Sequence, residues 1–248
     1  PAILAEQYRH GLNSLFLRCI ASLIIAFVFF FISAASEGPL YVYVTLPPVL
    51  ESLPFHIGMF TIVIILCMDV AEKGFLSLSR KKPNANTLAA FAALFTLIDG
   101  VTLFLSNLRD ISLPFFAPCS LILSLHLLGM YCQKYTRMRS CETAATSPRP
   151  YLVTQDPNVL AGQSAYRKWN SSPKGFGLQI QKQSQPEIHF SRLTPYLMGA
   201  CILLTFLTTV AHHQPRLVFW GLSASFCGAS TLGSGLTVEL PLIMLTSK

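Results

Sequence analysis

Charge is what this sequence has least of. Asp, Glu, Lys and Arg make up 12% of its 248 residues, and only 11 of them are acidic, against 52% hydrophobic residues and a positive mean hydropathy of +0.52. A water-soluble domain of this length needs about twice that share of charge on its surface, so the composition excludes an ordinary soluble protein and points to a membrane chain. Metal-knuckle patterns are also missing. The seven cysteines (Cys19, Cys67, Cys119, Cys132, Cys141, Cys201 and Cys227) form no CxxC pair and no compact Cys/His cluster, and most lie in apolar runs. That excludes a zinc knuckle or a disulfide framework and reads as buried thiols acting as small hydrophobes. No phosphate-cradling loop, nucleophile elbow, HExxH or catalytic carboxylate pair occurs, so no active site is expected within the chain.

Apolar runs are abundant. Residues 15–35, 53–70, 87–105, 113–132, 193–211 and a looser segment from about 217 onward each approach the twenty or so residues that cross a bilayer. Six spans make the expected fold all-α and polytopic. The first thirteen residues read as a polar lead-in. Residues 36–52 carry three prolines and two tyrosines and read as an external loop with an aromatic anchor. The chain starts at Pro1 without a methionine, which reads as a piece of something longer or a processed product.

The net charge of +7 is explained by where the cations fall. With the N-terminus inside, sixteen of the eighteen Lys and Arg residues, Lys248 among them, lie on the inner side, and only Arg109 and Arg216 lie outside. Cytoplasmic loops of membrane proteins concentrate Lys and Arg in this way, so both termini are placed in the cytoplasm of a plasma or inner membrane. Nucleic acid is not needed as a partner. The lipid bilayer is, together with anionic lipid headgroups or an acidic protein.

The chain divides into residues 1–132 with four spans, 133–192 as a basic cytosolic loop of about sixty residues with nine cations and three carboxylates, and 193–248 with two spans. Tyr151, Tyr166, Trp169 and Phe176 hint at a small packed element within the loop. Between the second and third spans lies an amphipathic elbow, residues 72–86, where Gly74, Arg80, Lys81 and Lys82 lead through Pro83-Asn84 into the next helix. A proline followed by asparagines is a helix-start signal.

Ionisable side chains at membrane depth are costly and mark ion paths or buried partners. Asp99, Glu239 and the neighbouring Ser234 and Thr237 are the candidate ion-path residues. His126 reads as a hydrogen-bonded interior histidine. Asp69 and Glu72 read as snorkelling or pairing with Lys73 at the membrane surface, and His212-His213 as solvated side chains rather than metal ligands.

The elbow sequence GFLSLSRKKPNANTL, with Gly74, Ser77, Leu78, Asn84, Thr87 and Leu88, resembles the region of heavy-metal-transporting P-type ATPases where the second membrane helix breaks into an amphipathic platform and passes through Asn-x-x-Thr-Leu into the next span. FFAPCSLILSLHLLGMY, RLTPYLMGACILLTFL, HQPRLVFWG and SGLTVELP are similar to the helices that follow in that family, with Pro195, Pro215 and Pro241 in place. The resemblance covers the chain from its first span to its end. It implies six membrane helices, a metal cation as cargo, and ATP with Mg supplied by phosphorylation and nucleotide-binding domains beyond this sequence. The departures point to a degenerate member. Leu232-Gly233-Ser234 stands where the family has Cys-Pro-Cys, and Ala117 where it often has glutamate. Leu66-Cys67 stands where a double glycine kinks the second helix, and no Thr-Gly-Glu occurs between the fourth and fifth spans. A non-catalytic scaffold or sensor that holds an acidic partner or anionic lipid on its basic loops is the alternative expectation, and a small channel or carrier the third.

Overall fold

The computed structural model describes residues 1–36, 46–106, 113–146, 152–160, 163–169, 175–182, 184–230 and 244. They are mostly helical. A short α1 (Ala2–Arg9) precedes α2 (Leu12–Ser36), and a single turn, α3 (Pro48–Glu51), leads into α4 (Leu53–Leu66) and α5 (Met68–Ser79). Next come α6 (Ala85–Ser106) and α7 (Phe116–Thr146), then strands β1 (Leu152–Leu160) and β2 (Gln163–Trp169). A short α8 (Phe176–Ile180), α9 (Gln185–His212) and α10 (Val218–Ser230) complete the order. Among the described residues, four helical segments are long and apolar enough to cross a membrane, α2 with its α1 lead, α6, α7 and α9, and α4 with α5 makes a fifth if the bent pair counts as one span.

The surface supports the same assignment. Leu17, Phe27 and Phe31 on α2, and Leu203, Phe206 and Leu207 on α9, are more than half exposed. Water would penalise such apolar stripes, whereas lipid tails solvate them. The interior is small and tight: Phe29, Phe60, Phe116 and Phe226 are fully buried, and alanines at 89, 90, 92 and 93 let the other helices approach α6 closely.

Several expectations change. The helix of the expected second span is not continuous. α4 stops at Leu66 and α5, Met68–Ser79, leaves at 70° to it, so the chain bends before the expected elbow at residue 72. The helix of the expected fourth span runs past residue 132 without a break, to Thr146. Hydropathy falls there while helix propensity does not, and α1 packs along this extension with Arg9 bonded to Glu142 at 2.7 Å. The polar first residues are therefore a helix packed on α7. The fifth helix starts at Gln185, eight residues before the apolar run. Ser184 and Glu187 form a reciprocal capping box and Pro186 occupies the first turn, which fixes the start by side-chain hydrogen bonds rather than hydropathy. The fold is not purely α, since β1 and β2 pair antiparallel as a hairpin inside the basic loop. Of the expected sixth span only α10 lies within the described residues. Its 13 residues rise about 20 Å, short of a bilayer core.

Candidate functional site

The described structure concentrates its polar chemistry in three places: the elbow, a seam around α10, and a cavity beneath α5.

At the elbow, four of the six residues singled out by sequence, Gly74, Ser77, Asn84 and Thr87, gather around one close contact. Asn84 caps α6: its side-chain oxygen accepts from the Thr87 backbone N–H at 3.1 Å, and the Thr87 hydroxyl accepts from the Asn84 backbone N–H at 3.0 Å. The pair is a capping box with threonine in the usual glutamate position. The Thr87 hydroxyl also reaches back 3.1 Å to the Gly74 carbonyl of α5 and lies 2.7 Å from the Ser77 hydroxyl, which is 3.2 Å from the Asn84 side-chain oxygen. Thr87 and Leu88 are fully buried. Gly74 is what lets the helices meet. A Cβ there would stand 2.5 Å from the Asn86 carbonyl oxygen and 2.8 Å from the Ala90 methyl. Arg80 closes α5, Lys81 turns the chain at φ +56°, and Arg80, Lys81 and Lys82 are all exposed.

The break upstream is held by a residue that sequence reasoning passed over. A helix end leaves carbonyls without partners. Arg18 of α2 donates from Nε at 3.0 Å, and from Nη2, to the carbonyl of Leu66, the last residue of α4, while its Nη1 donates to Asp69 at 2.9 Å. Asp69 therefore pairs with Arg18 and not with Lys73. One planar guanidinium thus satisfies the freed backbone and anchors the first turn of α5. A cation near the start of an otherwise apolar run was the available signal.

Around α10, hydroxyls and thiols line the packing surfaces. Ser223 meets Thr96 of α6 at 2.6 Å, and Ser225 meets Thr205 of α9 at 3.2 Å. The Ser230 carbonyl accepts from His126 Nε2 at 3.2 Å, while His126 Nδ1 pairs with the Asn86 side-chain amide at 3.1 Å. His126 is the interior hydrogen-bonded histidine the sequence implied. The Cys119 and Cys227 thiols face each other across α7 and α10. Two sulfurs fall short of the four ligands of a tetrahedral soft-metal site, and among the described residues no three His, Cys, Asp or Glu side chains converge. Asp99 is buried in α6, one turn from Thr96, so of the ion-path candidates it is placed at the seam. Glu239, Ser234 and Thr237, with Arg109 and the anchor tyrosines Tyr41 and Tyr43, lie outside the described residues.

The cavity, about 530 Å³, is bounded by α2, α5 and α7 and carries Arg18, Asp69, Glu72, Lys73, Lys134 and Arg137. The Lys134 ammonium donates to the His10 carbonyl at 2.8 Å. Arg137 and Lys134 act on the Lys73 ammonium as like charges, and Asp69 acts as an opposite one.

Compared with known proteins, the chain matches no protein-family model, no curated protein and no solved structure. The class defined by fold and site is therefore a helical membrane protein with a broken second helix and a hydrogen-bonded elbow.

Proposed function

We propose that this chain is the membrane region of a degenerate heavy-metal-type P-type ATPase. The observation that carries the reading is the elbow. Four of the residues by which the sequence resembles that family, Gly74, Ser77, Asn84 and Thr87, come together in one hydrogen-bonded contact directly after a helix broken by 70°. In this reading α10 and the residues after it form a sixth span, both termini face the cytoplasm, and the sixteen-to-two distribution of cations follows. Asp99, Ser234 and Glu239 line what remains of an ion path. No step of catalysis falls on this chain; ATP hydrolysis belongs to domains that the reading supplies from elsewhere in the protein.

The test is metal uptake into vesicles by the full-length protein. ATP-dependent uptake is expected to fall at least tenfold in Glu239→Gln, in line with the loss of one charged ligand. If no soft or borderline divalent or monovalent cation stimulates hydrolysis or flux, the pump reading fails.

A second reading, a non-catalytic scaffold that holds an acidic protein, is favoured by the exposed Arg80, Lys81 and Lys82 at the elbow. These would repel an incoming metal ion and attract an acidic surface. Charge removal at these three residues should then abolish partner binding while leaving the helix bundle intact, as read by co-purification and thermal unfolding side by side.

A further inference from the structure

We propose that the cavity between α2, α5 and α7 binds the phosphate of an anionic phospholipid headgroup. Four cations, Arg18, Lys73, Lys134 and Arg137, line it against two carboxylates, Asp69 and Glu72. Arg18 is committed to Asp69 and the Leu66 carbonyl, and Lys134 spends one of its three ammonium hydrogens on the His10 carbonyl. Lys73 and Arg137 make no ion pair or side-chain hydrogen bond among the described residues. Three cations with unspent donors therefore face one unpaired carboxylate, Glu72, within electrostatic reach of one another. Like charges brought together from α5 and α7 raise the energy of the cavity, and a bound anion lowers it.

Phosphate fits the donors. Arg137 offers a planar fork, and the two lysines offer point charges that approach from other directions. The surroundings choose a lipid over a free ion. Leu15, Leu76 and Met130 form the apolar part of the lining, and Phe16, Leu17 and Ile20 continue an exposed apolar surface along α2, where acyl chains of the same lipid would lie. Basic pockets between membrane helices on the cytoplasmic side are a recurrent site for such headgroups. The inference stands apart from the transport reading, because a chain that moves no ion can still hold the lipid.

The chain is reconstituted in phosphatidylcholine nanodiscs carrying trace spin-labelled phosphatidic acid, phosphatidylglycerol or phosphatidylcholine, and the immobilised fraction of each label gives its relative affinity. The wild type is expected to prefer both anionic lipids. The double variant Lys73→Gln/Arg137→Gln should lose that preference, on the order of fivefold per cation removed, while Lys73→Arg/Arg137→Lys keeps most of it and shows that the loss is one of charge rather than of folding. Arg216→Gln removes a cation that lines neither the cavity nor the elbow and should leave the preference unchanged. An unchanged preference in the cavity variant, or an equal drop in the Arg216→Gln variant, overturns the proposal. Displacement of the labelled lipid by millimolar inorganic phosphate, and not by chloride at matched ionic strength, overturns the lipid as occupant and assigns the cavity to the free anion.

Discussion

Gly74→Ala is expected to separate α5 from α6 and to lower the stability of the bundle by about 1–3 kcal/mol, the range seen when a methyl group is forced into a packed contact. The new Cβ meets a backbone oxygen, that of Asn86, and the methyl of Ala90. Neither can rotate away, so the helices must move. Moving them stretches the 3.1 Å bond from Thr87 to the Gly74 carbonyl and the 2.7 Å contact between Ser77 and Thr87. Gly58→Ala is the matched control. Its added Cβ meets nothing within 4 Å, and alanine favours a helix, so stability should hold or rise slightly. Thr87→Val separates sterics from hydrogen bonding: it keeps the shape but leaves the Asn84 N–H without its side-chain acceptor, a loss of about 1–3 kcal/mol. Denaturation in detergent micelles reads all three. A Gly74→Ala protein within ~0.5 kcal/mol of wild type, the usual spread of neutral surface changes, would remove the elbow contact from the account.

The second large effect is expected at Arg18. Arg18→Ala leaves the Leu66 carbonyl and Asp69 without their shared donor, at a cost of about 2 kcal/mol after allowance for the partial exposure of both side chains. Arg18→Lys should recover less than half, because a single ammonium cannot reproduce the planar fork that reaches a carbonyl and a carboxylate together. The break should also respond. With the carbonyl uncapped, α4 and α5 gain by continuing as one helix, and spin labels introduced as unnatural amino acids at Thr61 and Ser79 should move apart as the 70° bend opens. Stability loss without any change in that distance would mean that Arg18 stabilises the bundle but does not hold the break.

The elbow shows how much a local pattern can carry. Asn84 and Thr87 are three residues apart, so their mutual capping needs no other part of the chain, and the helix start after Pro83 was legible from sequence. The same holds for the spans of α2 and α6, whose hydropathy and helical extent coincide within a few residues. Where polar helix extends an apolar one, the two signals part. α7 runs on to Thr146 because α1 packs along it, and α9 begins at its capping box rather than at its apolar run. Hydropathy sees neither.

By itself, then, the sequence determined the class of protein. Scarce charge, long apolar runs and cations gathered in a few loops are properties of single segments, and a bilayer acts on segments one at a time. Only the tertiary structure decided where the second helix breaks and what the break is for. Leu66 and Cys67 carry no glycine or proline to bend a helix. The bend is held by Arg18, 48 residues away, and the cations of the cavity come from three helices that meet only when the bundle closes. Contacts of that separation leave no periodicity in the chain, because they are set by which helix faces pack together.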